Sequence, residues 1–513
     1  MKLEITDFDY KGRGVAKKDG KIYFVEGAVI GDTVEATLTY KKKKFTLART
    51  QKILNKSKNR IAPKCPYFEN CGGCDFLNYK YAEQLKWKKD KVNQDFRRIG
   101  SLDVEVEKIY GMENPLAYRN NIQLKVKDGK LGYFGKNSKD LVPVKHCLIA
   151  EDEINKAIEI LSCWKGLSSC DEIILRQNYK NQLSIVLVTK DRVKYTNNLL
   201  NELLELNLNS LFENINTGKL RFGEKFNKIY GEDYIKDKLM NFEFKLSPSS
   251  FFQVNRTQAE KLYKLALDYL EINKEDKILD LYCGVGTISL NAAKNAKAVC
   301  GVEISEEAVE NARENAAENK ITNAYFAAGK SEDIIEKLTQ EEKFIPDKII
   351  LDPPRAGLDS SLIDILNHMK VKKISYISCN SSTQARDLKL LSKSYKIEKA
   401  YAVDLFCHSV HVETVALLSK LNTENYLDIE IGEDELSEID FSKEATYGEI
   451  KKYVLDKYGL KVSSLYIAQV KRKHGLIERE NYNISKKENQ RIPNCPEEKE
   501  KAIENALEYF GMV

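Results

Sequence analysis

The chain has 513 residues, of which 42% are hydrophobic, and its 82 Lys and Arg against 77 Asp and Glu give a formal charge of +5. This length predicts about three domains or more, at roughly 150 residues per domain. No apolar run reaches the roughly 18 residues of a membrane span, and the first residues lack a signal-peptide region, so we expect a cytoplasmic protein. Eleven cysteines in such a chain argue against a disulfide framework and favour metal-binding or catalytic roles.

Residues 1–58 predict a small OB-like β-barrel, because short alternating strands such as Lys21–Val25 are separated by glycine turns. The segment Gly12–Ala16 resembles the TRAM module, an RNA-binding barrel of this type. Ten Lys or Arg and no acid lie between Lys41 and Lys64. Such a run indicates either a solvated face or a phosphate-binding surface, and the sequence leaves both open.

Residues 59–244 predict a central α+β domain that carries a cysteine cluster. Cys65, Cys71 and Cys74 share one loop, and Cys147 follows far downstream. Four thiolates are typical ligands of zinc or of an iron–sulfur cluster, and their spacing does not separate the two. A helix predicted from about residue 79 to 98 carries the basic side chains of Lys86, Lys88, Lys89, Lys91, Arg97 and Arg98. We expect this helix, the barrel and the cluster domain to hold folded RNA.

Strand–helix alternation from residue 245 to 421 predicts a doubly wound, Rossmann-like α/β domain with a parallel sheet. Its predicted strands are 277–281, 298–303, 348–352 and 373–378. The acidic stretch 422–445 is predicted to be a linker. Residues 446–513 are predicted to be a helical extension, which is either a helix-turn-helix ending in Lys471–Lys473 or a plain appendage.

The turn after the first of these strands indicates a methyl-donor pocket. Gly284 and Gly286 allow a sharp turn and the close approach of a ligand. A dinucleotide fold requires a further glycine where this chain has Ser289. Glu303 ends the next strand, where a carboxylate binds ribose hydroxyls. These features favour S-adenosylmethionine over a nicotinamide cofactor, and the amide of Gln253 is a candidate for binding the donor's amino-acid end.

Cys379 is the candidate nucleophile. It follows a strand and precedes a helix start, and helix N-termini lower the pKa of a thiol. Its thiolate could add to C6 of uracil, which makes C5 nucleophilic toward the methyl group. Glu413 is the candidate general base for the C5 proton, and a solvent-facing strand carboxylate is the alternative. Amino-methylating enzymes carry an aromatic residue after a similar Asp/Asn-Pro-Pro, and Arg355 in that place disfavours methylation of an exocyclic amine.

Four motifs together resemble the RNA uridine-5-methyltransferase family. They are Phe251–Asn255, Asp352–Gly357, Ser378–Asn380 and His411–Val415, within a similarity that runs from residue 1 to about 420. The resemblance implies Cys379 as the nucleophile and Glu413 as the base. It implies contacts to S-adenosylmethionine from Gln253, Tyr282, Glu303 and Asp352. The loop 331–333 is expected near the adenine.

The ribosomal-RNA branch of that family carries a [4Fe-4S] cluster on a matching cysteine pattern. The resemblance therefore implies iron–sulfur ligation, with zinc as the alternative, by Cys65, Cys71, Cys74 and Cys147. We expect an enzyme that methylates C5 of uridine in RNA, with 23S ribosomal RNA as its substrate, no membrane contact and no obligate protein partner. The alternatives are the same chemistry on transfer RNA, methylation of an exocyclic amine, and a non-catalytic RNA-binding factor.

Overall fold

The computed structural model describes residues 1–193, 197–218, 220–340, 344–421, 447–474 and 495–509. The predicted acidic linker, 422–445, lies outside these residues. The chain divides into two compact units, Met1–Asn422 and Thr423–Val513. Within the described ranges, no helix has the length and apolar character needed to cross a bilayer.

The first unit begins with six strands that form one sheet. They are β1 (Lys2–Glu4), β2 (Asp7–Phe8), β3 (Gly14–Lys18), β4 (Lys21–Glu26), β5 (Thr33–Lys41) and β6 (Phe45–Asn55). Their spatial order is β1-β5-β6-β4-β3-β2. β1 and β2 are consecutive in the chain, yet β1 pairs with β5 and β2 pairs with β3, at opposite ends of this order. The sheet therefore curls until its ends meet, as in a small barrel, around an apolar interior that includes Leu3, Val25 and Val34.

A second sheet follows the helix α1 (Tyr81–Asp95), a π-helical turn (Phe96–Gly100) and the strand β7 (Val106–Tyr110). Its strands are β8 (Asn121–Lys127), β9 (Lys130–Phe134), β10 (Leu141–Pro143), β11 (Cys170–Gln177), β12 (Leu183–Thr189), β13 (Leu208–Ile215) and β14 (Phe226–Gly231). They lie in the order β10-β9-β8-β11-β12-β13-β14. The accompanying helices are α2 (Asp152–Cys163), a 3₁₀ turn (Leu167–Ser169) and α3 (Asn197–Leu204). α2 buries Ile154, Ile158 and Leu161, which share one helix face, in the core beside this sheet.

Two further strands, β15 (Ile235–Leu239) and β16 (Phe242–Leu246), form an antiparallel pair ahead of the third large region. The elements of that region are α4 (Arg256–Leu270), β17 (Lys277–Leu281), α5 (Thr287–Ala293), β18 (Ala298–Glu303), α6 (Glu306–Glu318), β19 (Ala324–Ala328), α7 (Ser331–Gln340), β20 (Lys348–Leu351), α8 (Ser360–His368), β21 (Lys373–Ser378), α9 (Ser381–Leu391), β22 (Tyr395–Val403) and β23 (Glu413–Lys420). The eight-stranded sheet has the order β19-β18-β17-β20-β21-β23-β22-β7.

This sheet is mixed. β17 to β21 run parallel, whereas β23 is antiparallel to both β21 and β22. The predicted strand–helix alternation is present, but the prediction of a purely parallel sheet is wrong at β23. The edge strand β7 comes from the residues predicted to be central and pairs with β22. Alternate residues of β17 face two separate cores, with Ile278 in one and Leu279 in the other, which is the burial expected for a sheet covered on both faces.

The second unit contains three described helices, α10 (Tyr447–Tyr458), α11 (Ser464–Lys473) and α12 (Glu497–Tyr509). They share a small apolar core that includes Ile450, Ile467 and Ile503. Ser463 caps α11, because its side chain accepts a hydrogen bond from the Tyr466 backbone N–H. The predicted helix-turn-helix would contain two helices. The structure has a third, α12, in the same apolar core.

Candidate active site

The carboxyl ends of β17, β18, β20 and β21 meet at one edge of the sheet, where open α/β sheets bind ligands. β23 runs in the opposite direction, so its first residue lies at the same edge. A cleft of about 1400 Å³ opens there. It is lined by all six residues predicted for catalysis and donor binding: Gln253, Tyr282, Glu303, Asp352, Cys379 and Glu413.

The turn after β17 has an unusual backbone. Tyr282, Gly284 and Gly286 have positive φ angles of 67°, 54° and 85°. For Tyr282 this left-handed conformation costs roughly 1–2 kcal/mol, so the surrounding structure must impose it. A Cβ at Gly286 would lie 2.8 Å from Leu290 Cδ1, whereas a Cβ at Gly284 would meet nothing within 4 Å. The turn is therefore tightly packed at Gly286 and has open space beside Gly284.

Glu303 is fixed beside that turn by two backbone hydrogen bonds. Its Oε2 accepts from the Gly284 N–H at 3.2 Å, and its Oε1 accepts from the Ser305 N–H at 3.1 Å. Each carboxylate oxygen keeps further acceptor capacity, which suits a partner with hydroxyl groups. Residues 331–333 are helical rather than a loop, because α7 begins at Ser331, so that prediction is wrong; Ser331 and Glu332 still line the cleft.

Gln253 is held at the cleft by two neighbours. Its side-chain Nε2 donates to the Tyr263 hydroxyl at 3.1 Å. Its backbone oxygen accepts from the Asn120 amide at 3.1 Å. Asn120 comes from the loop just before β8, so the second sheet's region supports a residue of the cleft.

Cys379 lies between the end of β21 and Asn380, whose side chain caps α9. The predicted lowering of its pKa is wrong: burial, and next the charge of Glu413, raise the pKa of Cys379 to about 11. The positive charge of Arg355 opposes this rise. The helix start is thus outweighed by desolvation of the thiolate and by a nearby carboxylate.

Two carboxyl groups, those of Glu413 and Asp352, complete the site. Glu413 is 6% exposed, so the alternative of a solvent-facing carboxylate is wrong. Burial, and next the charge of Asp352, raise the pKa of Glu413 to about 8, while Arg355 acts against this rise. Burial raises the pKa of Asp352 to about 7. Carboxyl groups that titrate near neutrality can bind a cation and exchange a proton at physiological pH.

Comparison with known proteins identifies the family. The family model described as tRNA (uracil-5-)-methyltransferase matches residues 80–421, more than half of the chain. An RNA methyltransferase of Clostridium tetani, described as uncharacterized, is 38% identical over 440 residues, which cover 81% of this chain and 95% of that protein. A similarly described protein of Listeria innocua is 37% identical over 442 residues, 82% of this chain and 97% of its own.

The chain belongs to the tRNA (uracil-5-)-methyltransferase family. This confirms the predicted family and makes the protein an RNA methyltransferase. Among solved structures, it is similar to a tRNA (uracil-54, C5)-methyltransferase of Pyrococcus abyssi in complex with S-adenosyl-L-homocysteine. That match has a TM-score of 0.67 and 28% identity, and it covers 82% of this chain and 99% of that one.

The sequence assigned no role to three residues that the structure draws attention to, Asp280, Arg355 and Phe251. Asp280 Oδ2 accepts from the Ser289 hydroxyl at 2.5 Å, and burial raises the pKa of Asp280 to about 7. An Arg355 nitrogen lies 3.4 Å from His411 Nε2. Phe251 lines the cleft although it is 73% exposed. Phe251 and Arg355 lie in two of the motifs named above and line the cleft, whereas Asp280 is fully buried in β17.

The four predicted cluster ligands of the methyltransferase come together in a second, small pocket. It is lined by Cys65, Cys71, Cys74 and Cys147, together with aromatic side chains. All four are free thiols, and the Tyr133 hydroxyl donates to Cys147 Sγ at 3.9 Å. Nevertheless, within the described residues no group of three or more His, Cys, Asp or Glu side chains is spaced to hold a metal ion. The structure thus brings the thiols together without supporting the predicted metal.

The predicted basic face of α1 is partly wrong. Lys88 is fully buried and forms an ion pair with Asp404, so its ammonium group does not lie on the surface. Lys86, Arg97 and Arg98 of the predicted set are exposed, and further exposed basic side chains lie at 41–44, around the turn between β5 and β6. The Lys42 ammonium group there lies 5.8 Å from the ring of Tyr40 and 5.7 Å from that of Phe45. Lysines beside exposed rings are a surface that suits nucleic acid.

Proposed function

We propose that this enzyme transfers the methyl group of S-adenosylmethionine to C5 of uridine in RNA. The observation that carries the proposal is the position of one thiol, Cys379, beside the buried carboxyl group of Glu413 in the cleft. Family membership supports the substrate class. The Pyrococcus neighbour, named for C5 of uracil-54 and bound to S-adenosyl-L-homocysteine, supports the atom and the donor.

Cys379 opens the reaction by forming a bond between its Sγ and C6 of the uracil ring. The π electrons of C5=C6 pass into an enolate, C5 takes the methyl group from the sulfonium, and S-adenosylhomocysteine leaves. The thiol must first lose its proton to solvent, although its pKa is about 11 in this cleft. The positive charges of the donor and of Arg355 act to lower that pKa. Attack is therefore favoured after the donor has bound.

Glu413 completes the reaction by accepting the C5 proton. The electrons of that C–H bond restore the C5=C6 double bond and expel the Cys379 thiolate. Its pKa of about 8 makes Glu413 a stronger base than an exposed glutamate. A positioned general base contributes about 10²- to 10⁴-fold in rate.

The donor contacts are assigned by chemistry. The carboxylate of Glu303 accepts from the ribose hydroxyls, and the amide of Gln253 binds the amino-acid end. Asp352 places negative charge near the sulfonium, and Tyr282 forms a wall of the pocket. Ser331 and Glu332, at the start of α7, lie near the adenine.

Turnover of matched cysteine variants tests the proposal. With 5-methyluridine in the RNA measured by mass spectrometry, Cys379→Ser is expected to lose methyl transfer. Cys163→Ser, at an exposed cysteine that does not line the cleft, is expected to keep it. Full activity of Cys379→Ser would favour methylation of an exocyclic amine, which needs no thiol. RNA binding without any methyl transfer by the unaltered protein would favour a non-catalytic factor.

We further propose 23S ribosomal RNA as the substrate, because the barrel and the cysteine pattern resemble the ribosomal-RNA branch of the family. Transfer RNA is the second candidate, favoured by the tRNA enzyme of Pyrococcus that matches 82% of this chain. Both RNAs place the enzyme in the cytoplasm. In a deletion strain, loss of 5-methyluridine from purified 23S RNA alone supports the first candidate, and loss from purified tRNA alone replaces it with the second.

We propose that residues 1–58 are a TRAM-like RNA-binding barrel, 59–244 a central domain, 245–421 the methyltransferase domain, 422–445 a linker and 446–513 a helical extension. The curled six-stranded sheet, whose end strands β1 and β2 are consecutive in the chain, and the exposed lysines at 41–44 support the first assignment. Replacing those four lysines by alanine is expected to weaken RNA binding and to flatten its salt dependence. An unchanged salt slope would mean that 41–44 is only a solvated face.

We propose that the cysteine pocket holds a [4Fe-4S] cluster, with zinc as the alternative. Four free thiols that converge on one pocket fit either group. The cluster would supply structural cohesion or an RNA contact, because methyl transfer from a sulfonium involves no redox step. Anaerobically purified protein is expected to be brown, with iron and sulfide that are lost in Cys71→Ser and kept in Cys163→Ser. Colourless protein with stoichiometric zinc would establish the alternative.

A further inference from the structure

The segment that leads into Glu413 is held from outside the catalytic sheet. The backbone oxygen of His408 accepts hydrogen bonds from two consecutive N–H groups, Asp75 at 2.8 Å and Phe76 at 3.0 Å. In return, the Asp75 carboxylate accepts a bond from the Val410 N–H at 3.0 Å. Asp75 thus fixes both sides of a bend that ends three residues before Glu413.

The bend itself is conformationally unfavourable. His408 has a φ of 63°, a left-handed conformation that costs roughly 1–2 kcal/mol for a residue with a side chain. The Gln84 amide lies 3.2 Å from His408 Nδ1, and Lys88 Nζ donates to the Phe406 oxygen at 3.1 Å. The shape of this segment therefore depends on residues 75–88, because an unfavourable φ persists only where its surroundings impose it.

The turn at Gly12, in the first sheet, lies against the same bend. Gly12 has a φ of 71°, and a Cβ there would lie 2.9 Å from Asp75 Cβ and 3.3 Å from Val410 Cγ1. Its turn is fixed by Asp9, whose Oδ1 accepts from the Arg13 N–H at 2.8 Å. Apolar side chains from the barrel and from outside it pack together here: Phe8, Val29, Phe76, Trp87 and Val410.

We propose that Asp75 is a positioning residue for Glu413, braced by the barrel turn at Gly12. The inference rests on the proposed function, in which Glu413 removes the C5 proton after the methyl group has been transferred. Asp75 acts through the backbone of 408–410 and not by contact with the reacting atoms. The RNA-binding barrel and the general base are thereby mechanically linked.

Displacement of Glu413 is expected to impair one step of the reaction, the removal of the C5 proton. A displaced Glu413 leaves thiol attack and methyl transfer intact, because these use Cys379 and the donor. The C5 proton then stays in place, so the electrons of its bond cannot restore C5=C6 and expel the sulfur. The methylated adduct on Cys379 accumulates. Because a displacement of about 1 Å can cost about 100-fold in rate, we expect turnover to fall by about tenfold to 100-fold.

A pair of glycines allows a controlled test. Gly12 and Gly20 both have a φ of 71°, but nothing lies within 4 Å of a Cβ at Gly20. Gly12→Ala and Gly20→Ala therefore both place a Cβ at the same positive φ, and only the first brings that Cβ against Asp75 and Val410. Covalent enzyme–RNA complex is measured on denaturing gels with uridine RNA and with 5-fluorouridine RNA. The second substrate traps the adduct without the base, because fluorine at C5 cannot leave as a cation in place of the proton.

Gly12→Ala and Asp75→Asn are expected to accumulate adduct on uridine RNA and to keep normal trapping on 5-fluorouridine RNA, while Gly20→Ala matches the unaltered enzyme. Glu413→Gln is the reference for a missing base. If Glu413→Gln itself forms no adduct on uridine RNA, the proposed function fails. If it does and neither of the other two variants does, the positioning role alone is overturned. An equal loss of covalent complex on both RNAs also overturns the positioning role. If Asp75→Asn does not fold, the comparison of Gly12→Ala with Gly20→Ala decides whether that role holds.

Discussion

At the scale of the residue, the cleft combines a thiol with two carboxyl groups whose pKa values are raised to about 8 and about 7. The sequence motifs predicted Cys379 as the nucleophile and Glu413 as the base, and the structure places both side chains in one cleft. They could not give the direction of the thiol's shift, since it depends on Glu413 and Arg355, which are close only in the folded chain. With a pKa of about 11 the thiol of Cys379 is protonated at neutral pH, so the proposed attack requires added positive charge in the cleft.

Donor binding is expected to depend on pH in a way that reports this charge. The pKa values of Glu413 and Asp352, about 8 and about 7, lie above their ordinary values, so both groups bind protons in the empty cleft at neutral pH. A sulfonium favours their ionised forms, so S-adenosylmethionine should release protons on binding and bind more tightly as the pH rises from about 6 to 8. Calorimetry in buffers of different ionisation enthalpy measures this release. S-adenosylhomocysteine, which lacks the charge, is the control, and equal proton release by both would contradict the prediction.

Stability is expected to follow the same carboxyl group. Glu413 binds a proton more tightly in the folded state than in the unfolded state, so its contribution to stability falls as the pH rises from its ordinary value toward about 8. The substitution Glu413→Gln removes this pH-dependent loss of stability, because glutamine does not titrate. Denaturant unfolding at pH 5 and pH 8.5 should therefore show the variant gaining stability relative to the unaltered protein at the higher pH. If the two proteins differ by the same free energy of unfolding at both pH values, Glu413 is not desolvated.

At the scale of the element, the sequence located the strands whose apolar residues are buried on both faces. β17 was predicted at its observed bounds, because Lys277–Leu281 contains three apolar residues and is followed by a glycine turn. The position of β7 beside β22 could not be predicted, since pairing between distant strands is set by packing and not by local pattern. The start of α7 was missed although Ser-Glu-Asp is an ordinary way for a helix to begin.

The turn between β17 and α5 offers a test of its two glycines. Gly286→Ala should destabilise the protein, because its Cβ would contact Leu290, Phe326 and Ala312 at 3.3 Å or less in addition to the cost of a positive φ. Overpacking of this kind typically costs about 1–3 kcal/mol. Gly284→Ala meets open space instead, so we expect a smaller loss of stability and a higher KM for the donor. Thermal unfolding and donor titration separate the two effects, and identical behaviour of the variants would contradict this assignment of the open space.

At the scale of the whole molecule, three regions of the first unit contribute to one cleft. The eight-stranded sheet supplies Cys379 and Glu413, and the second sheet's region supports Gln253 through Asn120. The first, six-stranded sheet packs against the segment before Glu413 near Gly12. This convergence was beyond prediction from the sequence, because each contact joins residues that are far apart in the chain. The three-helix unit has its own apolar core.

Removal of residues 426–513 is expected to leave methylation intact. The first compact unit ends at Asn422 and contains every residue that lines the cleft. Turnover and RNA affinity of the shortened protein, compared with the full chain, measure the contribution of the extension. A large loss of RNA affinity would show that the extension helps to hold the substrate.

The central claim is that the sulfur of Cys379 forms a transient bond with C6 of a uridine. Incubation of the full-length enzyme with S-adenosylmethionine and 5-fluorouridine RNA, followed by digestion and mass spectrometry of the RNA-linked peptide, tests it most directly. One modified peptide is expected, with a methylated fluorouridine attached at Cys379. Attachment at another residue, or efficient methylation of uridine by Cys379→Ala, would contradict it.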